Sequence, residues 1–298
     1  MAKTHRWVLV SLLLLASSHL FSQDLSVAYI EGLVELQDER DWQQVYIGDV
    51  VPENAVLRVG ENAYAEISTP STVLRLVRPG TYRMEELAVE TESRQSLRLS
   101  SLVTSRIRSV TRTRPRGQGA VGGVRGSEAA QAGDGLTWMG GESVSELIED
   151  GKAQLEAGDY EGAYYLFGEA YQFADGAARD EALFYMGYTA YLQGNWSEAL
   201  SSLERADLDP DVEYYHDHAL TLAQLLVESF AYNDALEVLD SYLTEADPTG
   251  ENRQTALLLT GLSYEGLGDR GQARTALVSA RDAGPSTAPG RMAAQLLQ

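Results

Sequence analysis

The sequence predicts a multidomain α and β chain: a small all-β domain followed by an all-α solenoid of about four helical hairpins. Three observations carry that prediction. Ala163, Ala199, Ala235 and Ala273 return at intervals of 36, 36 and 38 residues, a period that belongs to stacked helical hairpins. Residues 25 to 90 instead alternate β-branched or aromatic residues with turn residues at the spacing of a small sandwich or barrel. Ahead of both, Lys3 and Arg6 precede an apolar run from Trp7 to Ala16, the pattern of a secretory signal peptide.

Taken in chain order, the first element is that signal peptide, residues 1–22, with Leu20-Phe21-Ser22 before Gln23 as the cleavage site. The apolar run is shorter than the roughly 20 residues needed to cross a bilayer, and no later segment is apolar enough to do so. Cysteine is absent, which excludes disulfides, thiolate metal sites and a lipid-modified cysteine at the new amino terminus. The mature protein is therefore expected to be periplasmic or secreted, and not membrane-embedded after cleavage.

The β domain is placed at 23–128. Strands are expected at Val27 to Ile30, Leu33 to Gln37, Gln43 to Ile47, Val56 to Val59, Ala63 to Ser68 and Thr72 to Val77, punctuated by Gly32, Gly48-Asp49, Gly60-Glu61-Asn62 and Pro79-Gly80. Three stretches carry a resemblance: Ile30-Glu31-Gly32-Leu33-Val34-Glu35, then Trp42 to Asp49, then Leu57 to Ile67, closed by Gly123-Val124-Arg125-Gly126-Ser127. Their order and spacing resemble a FecR-type domain. That resemblance implies an extracytoplasmic, non-catalytic β fold. The chain lacks the cytoplasmic domain and spanning helix of the signalling members, so iron-uptake signalling is not carried over.

The arginine-rich end of this domain contains Arg94, Arg98, Arg106, Arg108, Arg112, Arg114 and Arg116 with no acidic residue between them. Leu97-Arg98-Leu99 and Ile107-Arg108-Ser109-Val110 alternate, as late strands with solvated outer positions would. Two readings stay open: a basic edge or connector held against acidic repeats, or a grip on an anionic ligand such as a cell-wall polymer through paired guanidinium hydrogen bonds. Gly117 to Gly122 matches G-x-G-x-x-G, but no strand-then-helix context surrounds it, so a loop is expected rather than a dinucleotide site. Residues 129–142 read as a Gly-rich linker.

The repeats are placed at 143–298, as 144–179, 180–215, 216–253 and 254–287 with a capping helix at 288–298. Gly158-Asp159, Gly194-Asn195 and Gly268-Asp269 mark the turn inside each hairpin, whereas Phe230-Ala231-Tyr232 stands there in the third. Gly151, Gly187 and Gly261 precede the recurring alanine by twelve residues, and Ala223 takes that place in the third repeat. The unit resembles the tetratricopeptide repeat (TPR). By that resemblance, Lys152, Phe184, Tyr188, Tyr191, Gln224, Leu258 and Leu262 line a groove for a protein partner. Phe184, Tyr188 and Tyr191 share one helical face, and packing between repeats explains that stripe equally well.

Charge narrows the function. The net charge is -21, with 8 basic and 27 acidic residues from 143 onward and 5 basic and 14 acidic in 24–92. After residue 22 only 93–125, with 8 basic residues and no acidic one, is positive. Nucleic acid is disfavoured by repulsion over most of the surface. His216-Asp217-His218 puts two histidines on different sides of a helix, unlike ligand pairs four apart, and reads as a surface helix start. Asn195-Trp196-Ser197 matches the glycosylation pattern but reads as a repeat turn. No G-x-S-x-G is present. The expectation is a non-catalytic adaptor without metal or cofactor, holding a protein or peptide of the cell envelope in its repeats and an envelope component on its β domain; the alternative is a module that binds cell-wall glycan or peptidoglycan.

Overall fold

A computed structural model describes residues 25–38, 41–95, 97, 99–111 and 143–298. The expected signal peptide, Arg98, Arg112, Arg114, Arg116, the Gly117 to Gly122 stretch, the Gly123 to Ser127 motif and the expected linker lie outside the described residues. No helix of the described residues is long and apolar enough to cross a membrane.

The amino-terminal region is all β. Its strands are β1 (Leu25–Glu31), β2 (Val34–Asp38), β3 (Asp41–Gln44), β4 (Val50–Val51), β5 (Val56–Val59), β6 (Tyr64–Ser68), β7 (Val73–Leu76) and β8 (Gly80–Arg83). They form two antiparallel four-stranded sheets, ordered β4-β1-β6-β7 and β3-β2-β5-β8. Alternation drives this arrangement, because every second side chain of a strand faces the other sheet. Val34, Leu57, Val59, Ala65, Ile67, Leu74 and Leu76 meet between the sheets, with Met84 and Leu87 closing one end. The register slips once, between Val27 and Tyr29. That irregularity lets Leu25 and Val27 point inward while Tyr29 turns out to meet Tyr64 edge-on, ring centres 5.9 Å apart.

Two expectations about this region are corrected. β4 and β8 were not anticipated, since a two-residue strand and one opening at Pro79-Gly80 look like turns. Past β8 the chain is helical rather than β: α1 (Met84–Gln95), α2 (Ser100–Thr104) and α3 (Ile107–Val110). The alternation around Leu97 and Ile107 is therefore not that of late strands. Leu97, Leu99, Leu102 and Val110 are all buried, in the core of the helical region rather than of the sheets.

The carboxy-terminal region contains nine helices among the described residues: α4 (Val144–Ala157), α5 (Tyr160–Phe173), α6 (Gly176–Gln193), α7 (Trp196–Arg205), α8 (Tyr215–Glu228), α9 (Tyr232–Glu245), α10 (Gly250–Gly266), α11 (Arg270–Ala283) and α12 (Ala288–Leu296). Each packs on the next. Local chemistry sets their ends. Ser143 and Glu146 form a capping box on α4, while Asp159, Asp269 and Thr287 each accept an orphan backbone N–H at a helix start.

In three of the four pairs the first helix carries glycine because the second comes too close for a methyl group. A methyl on Gly151 would lie 2.6 Å from the Phe167 ring, one on Gly187 2.6 Å from Leu203 Cγ, and one on Gly261 2.6 Å from Leu277. The partner is sixteen residues on in every case, and Ala223 stands at the same separation from Leu239. Phe230 fills the place of the turn glycine in the third pair with φ 62°, a left-handed conformation that is costly for a residue with a Cβ. Its ring packs against the β core, which is what the strained backbone achieves.

The two regions meet through a small set of contacts. Besides Phe230, Arg78 from the end of β7 reaches Glu204 of α7 and Asp234 of α9, Ser197 donates to Glu31 at 3.3 Å, and the Arg75 guanidinium lies 4.2 Å over Trp196.

Candidate functional site

The first helices of successive pairs, α4, α6, α8 and α10, lie side by side, and residues 99–111 cross them. Leu99, Leu102, Val103 and Val110 are buried in one cluster with Phe184, Tyr185, Tyr188, Leu222 and Leu258. The segment is held by more than apolar contact. Tyr188 Oη donates to the Val103 carbonyl at 2.8 Å, and Tyr185 Oη donates to the Val110 carbonyl at 2.9 Å. Both acceptors are at the ends of short helices, where carbonyls retain free lone pairs; the Val103 carbonyl also takes the Arg106 N–H at 2.9 Å. Burial pushes both phenols well above the usual tyrosine range, so each hydroxyl keeps its proton as a donor.

Arg106 is the polar centre of this contact. Its guanidinium sits 3.6 Å from Asp217 Oδ1 and donates to Thr255 Oγ1 at 3.4 Å, tying the segment to α8 and α10. Arg106 and Asp217 side chains are each only 13 % exposed. Burial raises the Asp217 carboxyl from 3.8 to about 6, with Arg106 holding it down against that trend. Desolvation thus outweighs the facing cation, as happens when a pair is removed from water without ideal geometry.

The expected groove residues fall into four settings. Phe184 and Tyr188 lie beneath the segment, with Phe184 stacked on Tyr214 at 5.2 Å. Leu258 and Leu262 are fully buried. Tyr191 and Gln224 belong to a separate network: Gln224 Nε2 donates to Tyr191 Oη at 2.8 Å and to Glu228 at 3.1 Å, and Tyr191 Oη donates to Glu228 at 3.3 Å. Lys152 is tied to Glu149 at 3.1 Å and Glu181 at 3.0 Å, 4.9 Å over the Tyr185 ring. Of the arginines, Arg94 and Arg108 fall on α1 and α3, and Arg106 is the one whose side-chain setting is described. It faces inward onto a carboxylate, the connector arrangement, rather than outward toward an anionic polymer.

The histidine pair corrects the surface reading. His218 is buried and its Nε2 is 2.7 Å from the Leu203 carbonyl; His216 Nδ1 is 2.9 Å from Tyr242 Oη. Burial lowers both imidazoles, so they bind α8 to neighbouring helices as neutral rings. Tyr185 and Thr255 were not singled out in the sequence, and Asp217 only as the middle of His216-Asp217-His218. A signal was present for the surface they share: from Ala219 to Val227 every residue of α8 is buried, and a helix apolar nearly all round has to be covered on every side.

A second concavity of about 760 Å³ lies where β1 and β6 face the α6–α7 turn, bordered by Tyr29, Tyr64 and Trp196 and by Glu31, Glu66 and Glu198. Its carboxylates disfavour an anion there. No family model matches the chain, and no curated protein matches it.

Proposed function

We propose that the protein is a non-catalytic, extracytoplasmic adaptor whose helical repeats hold a peptide segment across the face formed by α4, α6, α8 and α10. The observation that carries this reading is the set of groups presented there: two buried tyrosine donors aimed at backbone carbonyls, and an Asp217–Thr255 acceptor pair placed for one cation. Donors that address the main chain hold a peptide with little regard to its sequence, and a rigid row of first helices supports them. Resemblance to the tetratricopeptide repeat favours the same face. The β region, resembling a FecR-type domain, is assigned the envelope contact, and the charged start of the chain supports export. An anionic cell-wall polymer gains no support from Arg106, which is already committed to Asp217.

The test is capture from envelope extract by the full mature chain and by a Tyr191→Phe, Gln224→Ala variant that unties the buried Tyr191–Gln224–Glu228 network between α6 and α8. A partner held by the repeats is retained by the first and depleted with the second. Identical captured sets, with unchanged melting, would remove the adaptor reading.

A further inference from the structure

Residues 99–111 behave as a bound peptide, not as part of either region's framework. Met84 and Leu87 still belong to the β core, whereas Leu97, Leu99, Leu102, Val103 and Val110 belong to the helical one, so the chain changes cores within about ten residues. Helices of five and four residues are far below the length that is stable alone in water, so α2 and α3 owe their form to the surface beneath them. Charge is complementary as well. The segment lies in the positive stretch 93–125 and its receptor face is in a region with 27 acidic residues against 8 basic.

We infer that residues 99–111 are an internal ligand of the first-helix face, and that the outside partner of this face is a protein segment of the same chemistry: two short helical turns with apolar anchors and one cation, taking the internal ligand's place. The contacts specify the motif. Leu99, Leu102, Val103, Arg106 and Val110 fall at relative positions 0, 3, 4, 7 and 11, a helical anchor spacing kept across the break between α2 and α3. The two tyrosine bonds go to main-chain carbonyls and impose no side chain. The cation has to reach Asp217 and Thr255 together, which a planar guanidinium does better than an ammonium. Because the internal copy is tethered, its effective concentration is on the order of millimolar, and an outside segment has to compete with it. The inference rests on the adaptor reading for its biological occupant only.

The experiment uses a fluorescent peptide of residues 97–111 and follows its anisotropy with the full mature chain. Leu102→Asp with Val103→Asp weakens the internal copy without altering the receptor helices. The released chain is expected to bind the peptide at least tenfold more tightly than wild type, and a peptide carrying Arg106→Glu to bind the released chain at least tenfold more weakly. Equal binding to both chains, or none to a released chain that melts as wild type, overturns the inference. Should the released chain fail to fold, hydrogen exchange on wild type decides. The amides of Ser105, Arg106, Val110 and Thr111, bonded within the segment, should exchange faster when excess unlabelled peptide displaces it, and unchanged exchange overturns the inference. Peptide binding without an envelope partner would leave the inference standing and sink the adaptor reading; a captured partner without peptide binding would do the reverse.

Discussion

Replacing Arg106 by leucine should destabilise the protein in a pH-dependent way, and the size of the dependence follows from Asp217. Leucine keeps much of the apolar stem and removes only the guanidinium. In the wild type, burial raises the Asp217 carboxyl from 3.8 to about 6, against the lowering by Arg106. The folded protein therefore holds this proton more tightly than the unfolded chain does. Its contribution is fully present below about pH 4, is lost as pH rises through about 6, and is constant above that. Without Arg106 the carboxyl moves further up, so the variant continues to lose stability where the wild type has stopped. Each pH unit above 6 widens the gap by up to about 1.4 kcal/mol, giving about 2 to 3 kcal/mol near pH 8, somewhat below the 3–5 kcal/mol of a broken buried pair that cannot neutralise itself. At pH 5 Asp217 is protonated in both proteins and the difference should fall within about 1 kcal/mol. Urea unfolding of both proteins at pH 5, 6.5 and 8 measures this. His216 is also affected by Arg106 and Glu213 also acts on Asp217, so Arg106→Leu in an Asp217→Asn background is the reference, and there the pH dependence should vanish. A gap that stays constant from pH 5 to 8 would refute a buried, ionisable contact between segment and receptor.

Gly168→Ala and Gly187→Ala should move stability in opposite directions. Nothing lies within 4 Å of a methyl on Gly168, so it gains about 0.8–1 kcal/mol of helix propensity, while Gly187 meets Leu203 and the Ala199 carbonyl and loses about 1–3 kcal/mol by overpacking; thermal melts of the two decide, and equal gains would break the helix-pair register. Phe230→Gly should be about 1 kcal/mol more stable than Phe230→Ala, because both lose the ring from the β core but only glycine is at ease with φ 62°; the reverse order in denaturant would refute the strained-peg account. Protein isolated from the envelope fraction should begin at Gln23 by intact mass, and retention of residues 1–22 would contradict export through a cleaved signal.

The helix pairs were legible because close approach leaves a mark on residue size. Gly151, Gly187 and Gly261 can be read from the sequence together with Phe167, Leu203 and Leu277, since a small residue facing a large one at constant separation is what two tightly packed helices require. β5 and β6 were legible for a similar reason, the buried Leu57, Val59, Ala65 and Ile67 alternating with the polar Arg58 and Glu66. β4 was not, because two residues carry no period, and α2 and α3 failed the same test. Leu97-Arg98-Leu99 looks alternating over three positions, yet the conformation there is decided by α6 and α8, far away in sequence. The groove stripe was visible in Phe184 and Tyr188, but not its occupant. Only the long buried run of α8 hinted that the face was already covered. Asp217 was hidden among many acidic residues and is distinguished by burial alone, which spacing does not encode.

The placement of the single positive stretch between two acidic regions has a further consequence for how the molecule holds together. Apolar residues of the segment could be buried on many surfaces, but Arg106 is tolerated in only one place, where Asp217 and Thr255 receive it. Buried polar contacts of this kind add little net stability and much selectivity, since a misplaced segment would bury an unpaired guanidinium. Arg78 does the same at the other junction, where Glu204 and Asp234 receive it from two different helices. Each cation therefore fixes a register that the apolar contacts leave free: Arg78 sets the β region against α7 and α9, and Arg106 sets the segment against α8 and α10. Displacing the segment releases the second register and keeps the first. Under the proposed adaptor reading the occupant of the helical face exchanges while the two regions stay joined, and the comparison that probes the point is Arg78→Ala against Arg106→Leu. Loss of Arg78 should loosen the β region from the helices, read as new proteolytic cleavage between them, while peptide binding to the face is unchanged; loss of Arg106 should do the opposite. If both variants alter both readouts, the two contacts form one cooperative unit and the separation argued here fails.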